Sequence, residues 1–179
     1  ARSTSQRGLA RATGTHQPNI AALESDAHSP TVSGLERYLR ALDYRLTILP
    51  TRLRAAWETA GDIAVHLAVN DHSAAFREVI QLSDDFARTT PDIRVALAVT
   101  PPPLCGDPRY DALLASVVDY WLAKTAAPRP GWLSEESRRL DVHWVVEPLA
   151  ELHDEARRAT PDVILQHGVV LAESELQSA

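Results

Sequence analysis

The chain has 179 residues, enough for one or two small domains with cores of their own. Apolar residues make up 45% and aromatic residues only 6%, with alanine and leucine abundant, a mixture that favours helices over sheets. The net charge of −6 excludes a uniformly basic nucleic-acid coat, and no apolar run reaches the roughly 18–20 residues of a membrane span.

No signal-peptide pattern is present, and the single Cys105 leaves no internal disulfide to form, so a cytoplasmic protein is expected. Met is absent, from which we expect that part of the natural N-terminus precedes Ala1. The charge is unevenly spread. Residues 1–54 hold eight arginines against four carboxylates, while the remainder is strongly acidic. A basic head on an acidic body suits a nucleic-acid-binding module joined to a different one.

In chain order, Ser5 is a good N-cap for a helix over Gln6–Thr13, and Gly14 ends it, since glycine tolerates the left-handed conformation there. A second helix starts near His16 or Gln17, with Pro18 in its first turn and Ile20 and Leu23 facing a core. Ser25–Pro30 is loop chemistry. Thr31 or Ser33 caps a third helix carrying Leu35, Leu39 and Leu42, and the alternating Tyr44–Leu49 predicts a short strand closed by Pro50.

Composition shifts near residues 50–58, which places a boundary between domains at 1–52 and 53–179. Thr59–Val69 and Ser73–Arg88 predict an antiparallel helical pair, the second with a stripe of Phe76, Val79, Ile80, Leu82 and Phe86. Pro91–Ala98 predicts a short helix. A stiff connector spans Thr100–Pro108, and a long helix follows over Tyr110–Lys124, with Leu113, Leu114, Val117, Val118 and Trp121 on its apolar side. A further helix is expected over Pro148–Arg158. Asp162–Leu171 reads as a strand, or as a helix followed by an extended segment. The fold class is therefore mostly α, with little strand.

Ser5, Gln6, Leu9, Ala10, Gly14, Gln17, Ile20, Leu23 and Glu24, then Ser29–Pro30, Leu35, Leu39, Ala41 and Leu42, stand in one register. That register resembles the lambda-repressor/Cro-like (XRE) helix-turn-helix family, over residues 1 to about 49. The resemblance implies an N-terminal DNA-binding domain whose first helix is apparently missing here. It implies Gln17 as the prime base reader and Asn19 as the next, because a carboxamide can pair with an adenine edge. Gln6 and its helix N-terminus would hold a phosphate, with Arg2, Arg7 and Arg11 as further phosphate contacts and Ser29 and Thr31 contributing from the loop. With His16 at the start of the reading helix, the expected DNA-contacting set is Gln6, Arg7, Arg11, His16, Gln17, Asn19, Ser29 and Thr31.

The sequence departs from the family pattern in three ways. Thr15 and His16 follow the glycine in place of an apolar residue and a Ser, Ala21 and Ala22 thin the reading helix, and Asp26 replaces a glycine. Modest specificity per half-site follows. Such readers act as dimers on successive major grooves, so a homodimer on double-stranded operator DNA is expected.

Residues 106–123, 130–133, 139–144 and 160–171 are similar to the C-terminal part of actinobacterial XRE-type regulators encoded beside nucleotidyltransferase-like toxins. This resemblance implies an antitoxin that binds such a toxin and represses their shared operon. The alternative is a stand-alone regulator whose C-terminal domain senses a ligand. An enzyme is not expected. The seven histidines show no metal-ligand spacing, and neither a phosphate-binding glycine loop nor a G-x-S-x-G elbow is present. His143, His153 and His167, the Asp84–Asp85 pair and Cys105 are expected to be structural or surface groups, and Trp121, Trp132 and Trp144 core residues. No catalytic residue, metal or cofactor is assigned.

Overall fold

A computed structural model of the chain describes residues 5–25, 27 and 29–177. It is mostly helical and divides into two compact units, Ala1–Pro50 and Thr51–Ala179. No helix among the described residues is long and apolar enough to cross a membrane.

The first unit holds three helices, α1 (Gln6–Thr13), α2 (Gln17–Glu24) and α3 (Val32–Ala41). Local chemistry sets each boundary. Ser5 Oγ accepts the Gly8 N–H at 3.2 Å, and Gly14 stops α1 at φ 67°, where the Thr15 N–H reaches back to the Ala10 carbonyl at 3.0 Å. Pro18 occupies the first turn of α2, where a missing N–H leaves no bond unmade. Thr31 Oγ1 caps α3 through the Gly34 N–H at 3.2 Å. Leu9, Ala10 and Ile20 form the buried centre, with Tyr38, Ala41 and Leu42 packed against it. Ala10 is small where α1 and α2 meet. A larger side chain would push the two helices apart.

Tyr44–Leu49 does not form the strand that its alternation predicts. The segment has no regular structure, and Tyr44, Leu46 and Ile48 are exposed. A strand needs a partner to supply its ladder, and none lies alongside it among the described residues.

The second unit is built round one buried helix. α4 (Ala56–Ala68) and α5 (His72–Arg88) pack as the expected antiparallel pair, and α6 (Pro91–Ala98) follows. In α5, Val79, Leu82 and Phe86 are buried, while Phe76 and Ile80 are half-buried. α7 (Pro108–Ala123) lies at the centre, touched by α4, α5 and α6, by α9 (Asp162–Leu165) and by the second of two short strands.

Every residue of α7 from Tyr110 to Leu122 is buried. The expectation of a one-sided apolar stripe is too narrow. Ala112, Ala115, Ser116 and Asp119 complete the circumference because helices and turns cover every side. The strands β1 (Trp144–Val145) and β2 (Val169–Val170) pair in parallel, with Trp144 opposite Val169. The expected helix over Pro148–Arg158 begins later, as a tight turn over Ala150–Leu152 leading into α8 (His153–Ala159). Asp162–Leu171 divides into α9 and then β2, the second of its two sequence readings.

Three buried polar groups hold this unit together. Arg94 donates to the Phe86 and Thr89 carbonyls at the end of α5 and to the Trp121 carbonyl near the end of α7. Its guanidinium carbon also lies 5.4 Å from the Trp121 ring centre. Arg138 donates to the Pro102 carbonyl and to Asp111, whose Oδ1 accepts the Cys105 N–H at 2.8 Å. Ser83 Oγ accepts the Trp121 indole N–H at 2.7 Å and donates to the Leu176 carbonyl at 2.5 Å. These links tie the proline-rich connector and the C-terminal turn to α7. Buried groups paired this way avoid most of the desolvation cost that unpaired ones would carry, although Arg138 Nε is buried without a partner among the described residues.

Candidate nucleic-acid interface

The α1–α2 corner gathers a polar cluster on its exposed side. Gln17, the first residue of α2, donates from Nε2 to Gln6 Oε1 at 3.3 Å and accepts from Arg7 Nε at Oε1 at 3.2 Å. Gln6 in turn donates to Glu24 Oε2 at 2.6 Å. The start of α1 thus grips both ends of α2. The Gly14 turn makes this possible by folding α2 back so that residues 10 or 18 apart in sequence touch.

This geometry has a chemical consequence. A carboxamide carries two N–H donors and two acceptor lone pairs. Gln6 and Arg7 use one of each, so one N–H and one lone pair of Gln17 remain. An adenine presents the complementary pair, N7 and the 6-amino group, in the major groove. Arg7 and Gln6 hold the amide in one orientation and reduce the rotamer entropy that a base contact would cost.

The other expected residues are placed as follows. Asn19 is exposed in the first turn of α2, its Nδ2 donating to Thr15 Oγ1 at 3.1 Å. His16 is the N-cap of α2 and makes no side-chain capping bond; Pro18 carries no N–H, and the Asn19 N–H donates to the His16 carbonyl at 3.0 Å. Arg11 lies exposed in the last turn of α1 with no hydrogen-bond partner among the described residues. Ser29 is exposed, whereas Thr31 Oγ1 is occupied in capping α3 and contacts Ser33 Oγ at 3.2 Å. Arg2 and Asp26 lie outside the described residues.

Sequence reasoning missed the bond from Gln6 to Glu24. The signal was present in the shared register of the two residues, but their distance in sequence hid the contact.

The titratable groups singled out in the body do not converge. His143 Nδ1 meets Arg157 Nη1 at 3.0 Å, and His153 Nε2 meets the Glu147 carbonyl at 2.9 Å. His167 is buried beside Asp119. Asp84 is buried with Arg88 at 3.9 Å, and Asp85 accepts from Gln81 at 3.0 Å. Cys105 is buried, and burial followed by the charge of Asp111 pushes its thiol up to about 12. Such a thiol supplies almost no thiolate at neutral pH. Among the described residues no three His, Cys, Asp or Glu side chains are grouped to hold a metal ion. Trp121 and Trp132 are core residues, while Trp144 is half-buried and lines a cleft.

Compared with protein-family models, with curated proteins and with solved structures, the chain matches none.

Proposed function

We propose that the chain is a sequence-specific DNA-binding transcriptional regulator that reads its own operator through the start of α2. The observation that supports this reading is the bonding of Gln17 by Gln6 and Arg7, which leaves one donor and one acceptor free at an exposed helix start. The basic balance of residues 1–54 supplies attraction to phosphate without sequence preference. A homodimer in the cytoplasm, placing one α2 in each of two major grooves about 34 Å apart, completes the proposal.

The test is binding to the DNA upstream of the protein's own coding sequence. Gln17→Ala should lose about 1–3 kcal/mol on that DNA and keep its non-specific affinity. Equal affinity and equal base preference would remove Gln17 as a reader.

The antitoxin role extends this proposal on the sequence similarity of the body alone. It requires stable capture of a nucleotidyltransferase-like toxin by the full chain in its host. Operator binding without such capture would leave the repressor and remove the antitoxin. The second reading, a regulator whose body senses a ligand, is favoured by an aromatic cleft in the second unit.

A further inference from the structure

A cleft of about 420 Å³ opens between the first turns of α5 and α7, β1 and the C-terminal turn over Glu173–Leu176. Its size falls within the range of small-molecule sites. One wall is a run of rings. The His72 and Tyr110 rings stack with centres 5.9 Å apart, and Tyr110 and Trp144 follow at 5.7 Å. Phe76 adds a further apolar surface.

This wall is held in place before any ligand arrives. The Tyr110 hydroxyl donates to the His72 carbonyl at 2.9 Å, and the backbone N–H of Trp144 donates to the Gly168 carbonyl at 2.9 Å. A fixed aromatic surface binds a flat ring with little loss of side-chain entropy.

Charge divides the cleft into two ends. At the aromatic end, the Arg109 guanidinium lies 5.5 Å from the Trp144 ring centre and is paired with Asp107 at 2.7 Å. The Asp107 carboxylate thus balances the Arg109 cation on that rim. At the other end stands Glu175, half-buried, whose carboxylate has no hydrogen-bond partner among the described residues. Glu175 also lines an adjoining cleft with Glu147 and Glu155. Burial, and then the charge of Glu147, push the Glu175 carboxyl up. A cation placed there would relieve that repulsion and supply the missing partner.

We propose that this cleft binds a small, free aromatic cation, its ring against Tyr110 and Trp144 and its ammonium group at Glu175. A ring without the charge would leave the acidic end unpaired. An anion of the same shape would be repelled by it.

As a binding site the proposal stands on the second unit alone; as a regulatory site it rests on the ligand-sensing reading. The probe is tryptamine, titrated calorimetrically into the full chain without DNA. Indole-3-propionate, the same ring with an anionic arm, and butylamine, the charge without the ring, are the comparisons. Saturable tryptamine binding is expected, with both comparisons at least about tenfold weaker, the usual scale of one charge-assisted contact. Glu175→Gln should weaken tryptamine about tenfold while leaving the far-ultraviolet circular dichroism unchanged. Trp144→Leu should abolish binding, but Trp144 is itself part of β1, so Glu175→Gln is the deciding variant.

No saturable tryptamine binding, equal binding of the indole anion, or an unchanged affinity in Glu175→Gln would each overturn the site. A separate measurement reads operator affinity with and without tryptamine. Binding that leaves operator affinity unchanged would overturn the sensing reading and leave the site standing.

Discussion

Nε2 of the buried His167 lies 3.1 Å from Oδ2 of Asp119, while its Nδ1 lies 2.9 Å from the Arg138 carbonyl oxygen. Both ring nitrogens therefore face oxygen acceptors. Arg129 donates to the same Asp119 oxygen, and the other oxygen of that carboxylate is buried without a partner among the described residues. The cluster joins the centre of α7 to the segment between α9 and β2.

Burial alone would push the Asp119 carboxyl up, but the hydrogen bonds and charges of His167 and Arg129 outweigh it and hold the carboxyl below its usual value. Its pKa in the folded protein thus lies below the unfolded value of about 3.9. The resulting stabilisation is complete above that unfolded value and is lost as pH falls through the folded one. Asp119→Asn should destabilise the protein by about 3 kcal/mol at neutral pH, the scale for breaking a buried ion pair. The deficit should shrink in acid. Urea denaturation of wild type and variant at neutral and at acidic pH checks this, and a gap as wide in acid would contradict it.

Gly168 precedes β2 at φ 76°, and a Cβ placed there would lie 2.5 Å from the Leu140 carbonyl oxygen. Gly168→Ala meets both a left-handed backbone, which costs an alanine roughly 1–2 kcal/mol, and a backbone clash. A loss of more than about 2 kcal/mol is expected from the denaturation midpoint. Gly61 is the contrast, exposed in the middle of α4 with nothing within 4 Å of a built Cβ. Gly61→Ala should stabilise by about 0.5–1 kcal/mol, and opposite signs at the two glycines are the result to look for.

Arg94 illustrates a cation used as a clamp. Burial lowers its pKa, yet a guanidinium remains charged and its fork meets carbonyls on two helices. Arg94→Met would leave those carbonyls without a donor and should cost about 1–3 kcal/mol, with Arg94→Lys recovering only part because a single ammonium cannot span both helix ends. Full recovery in the lysine variant would show that charge alone, and not the fork, is required.

For Cys105 the shift has the opposite direction from that of Asp119. Its folded pKa of about 12 lies above the unfolded thiol value of roughly 8.5. The associated stabilisation is complete below that unfolded value and declines as pH rises towards the folded one. Native protein should resist iodoacetamide at pH 8, whereas the urea-unfolded chain should be alkylated readily. Comparable rates in the two states would place the thiol at the surface.

On the first unit, Arg11 is expected to touch phosphate only. Arg11→Ala should weaken binding evenly across DNA sequences and reduce the salt slope by about 1. A change in base preference instead would move Arg11 into the readers.

The sequence by itself determined the local punctuation of this protein. Ser5, Gly14, Pro18, Thr31 and Pro91 act within one turn of chain, so their caps and starts are legible without any partner. The helical pair of α4 and α5 was legible for the same reason, since its period of 3.6 is written in consecutive residues. Tyr44–Leu49 shows the limit of such reading, because alternation describes a strand only where a second strand supplies the bonds.

Tertiary structure alone decided the rest. α7 is buried on every side, not one, because helices, tight turns and a strand surround it. Gln6 reaches Glu24 across 18 residues, Arg94 reaches Trp121 across 27, and His167 meets Asp119 across 48. The aromatic cleft likewise draws His72, Tyr110, Trp144 and Glu175 from four separate elements. Periodicity and capping act along the chain. Charge pairing, desolvation and cavity shape act across space, and only folding makes those residues neighbours.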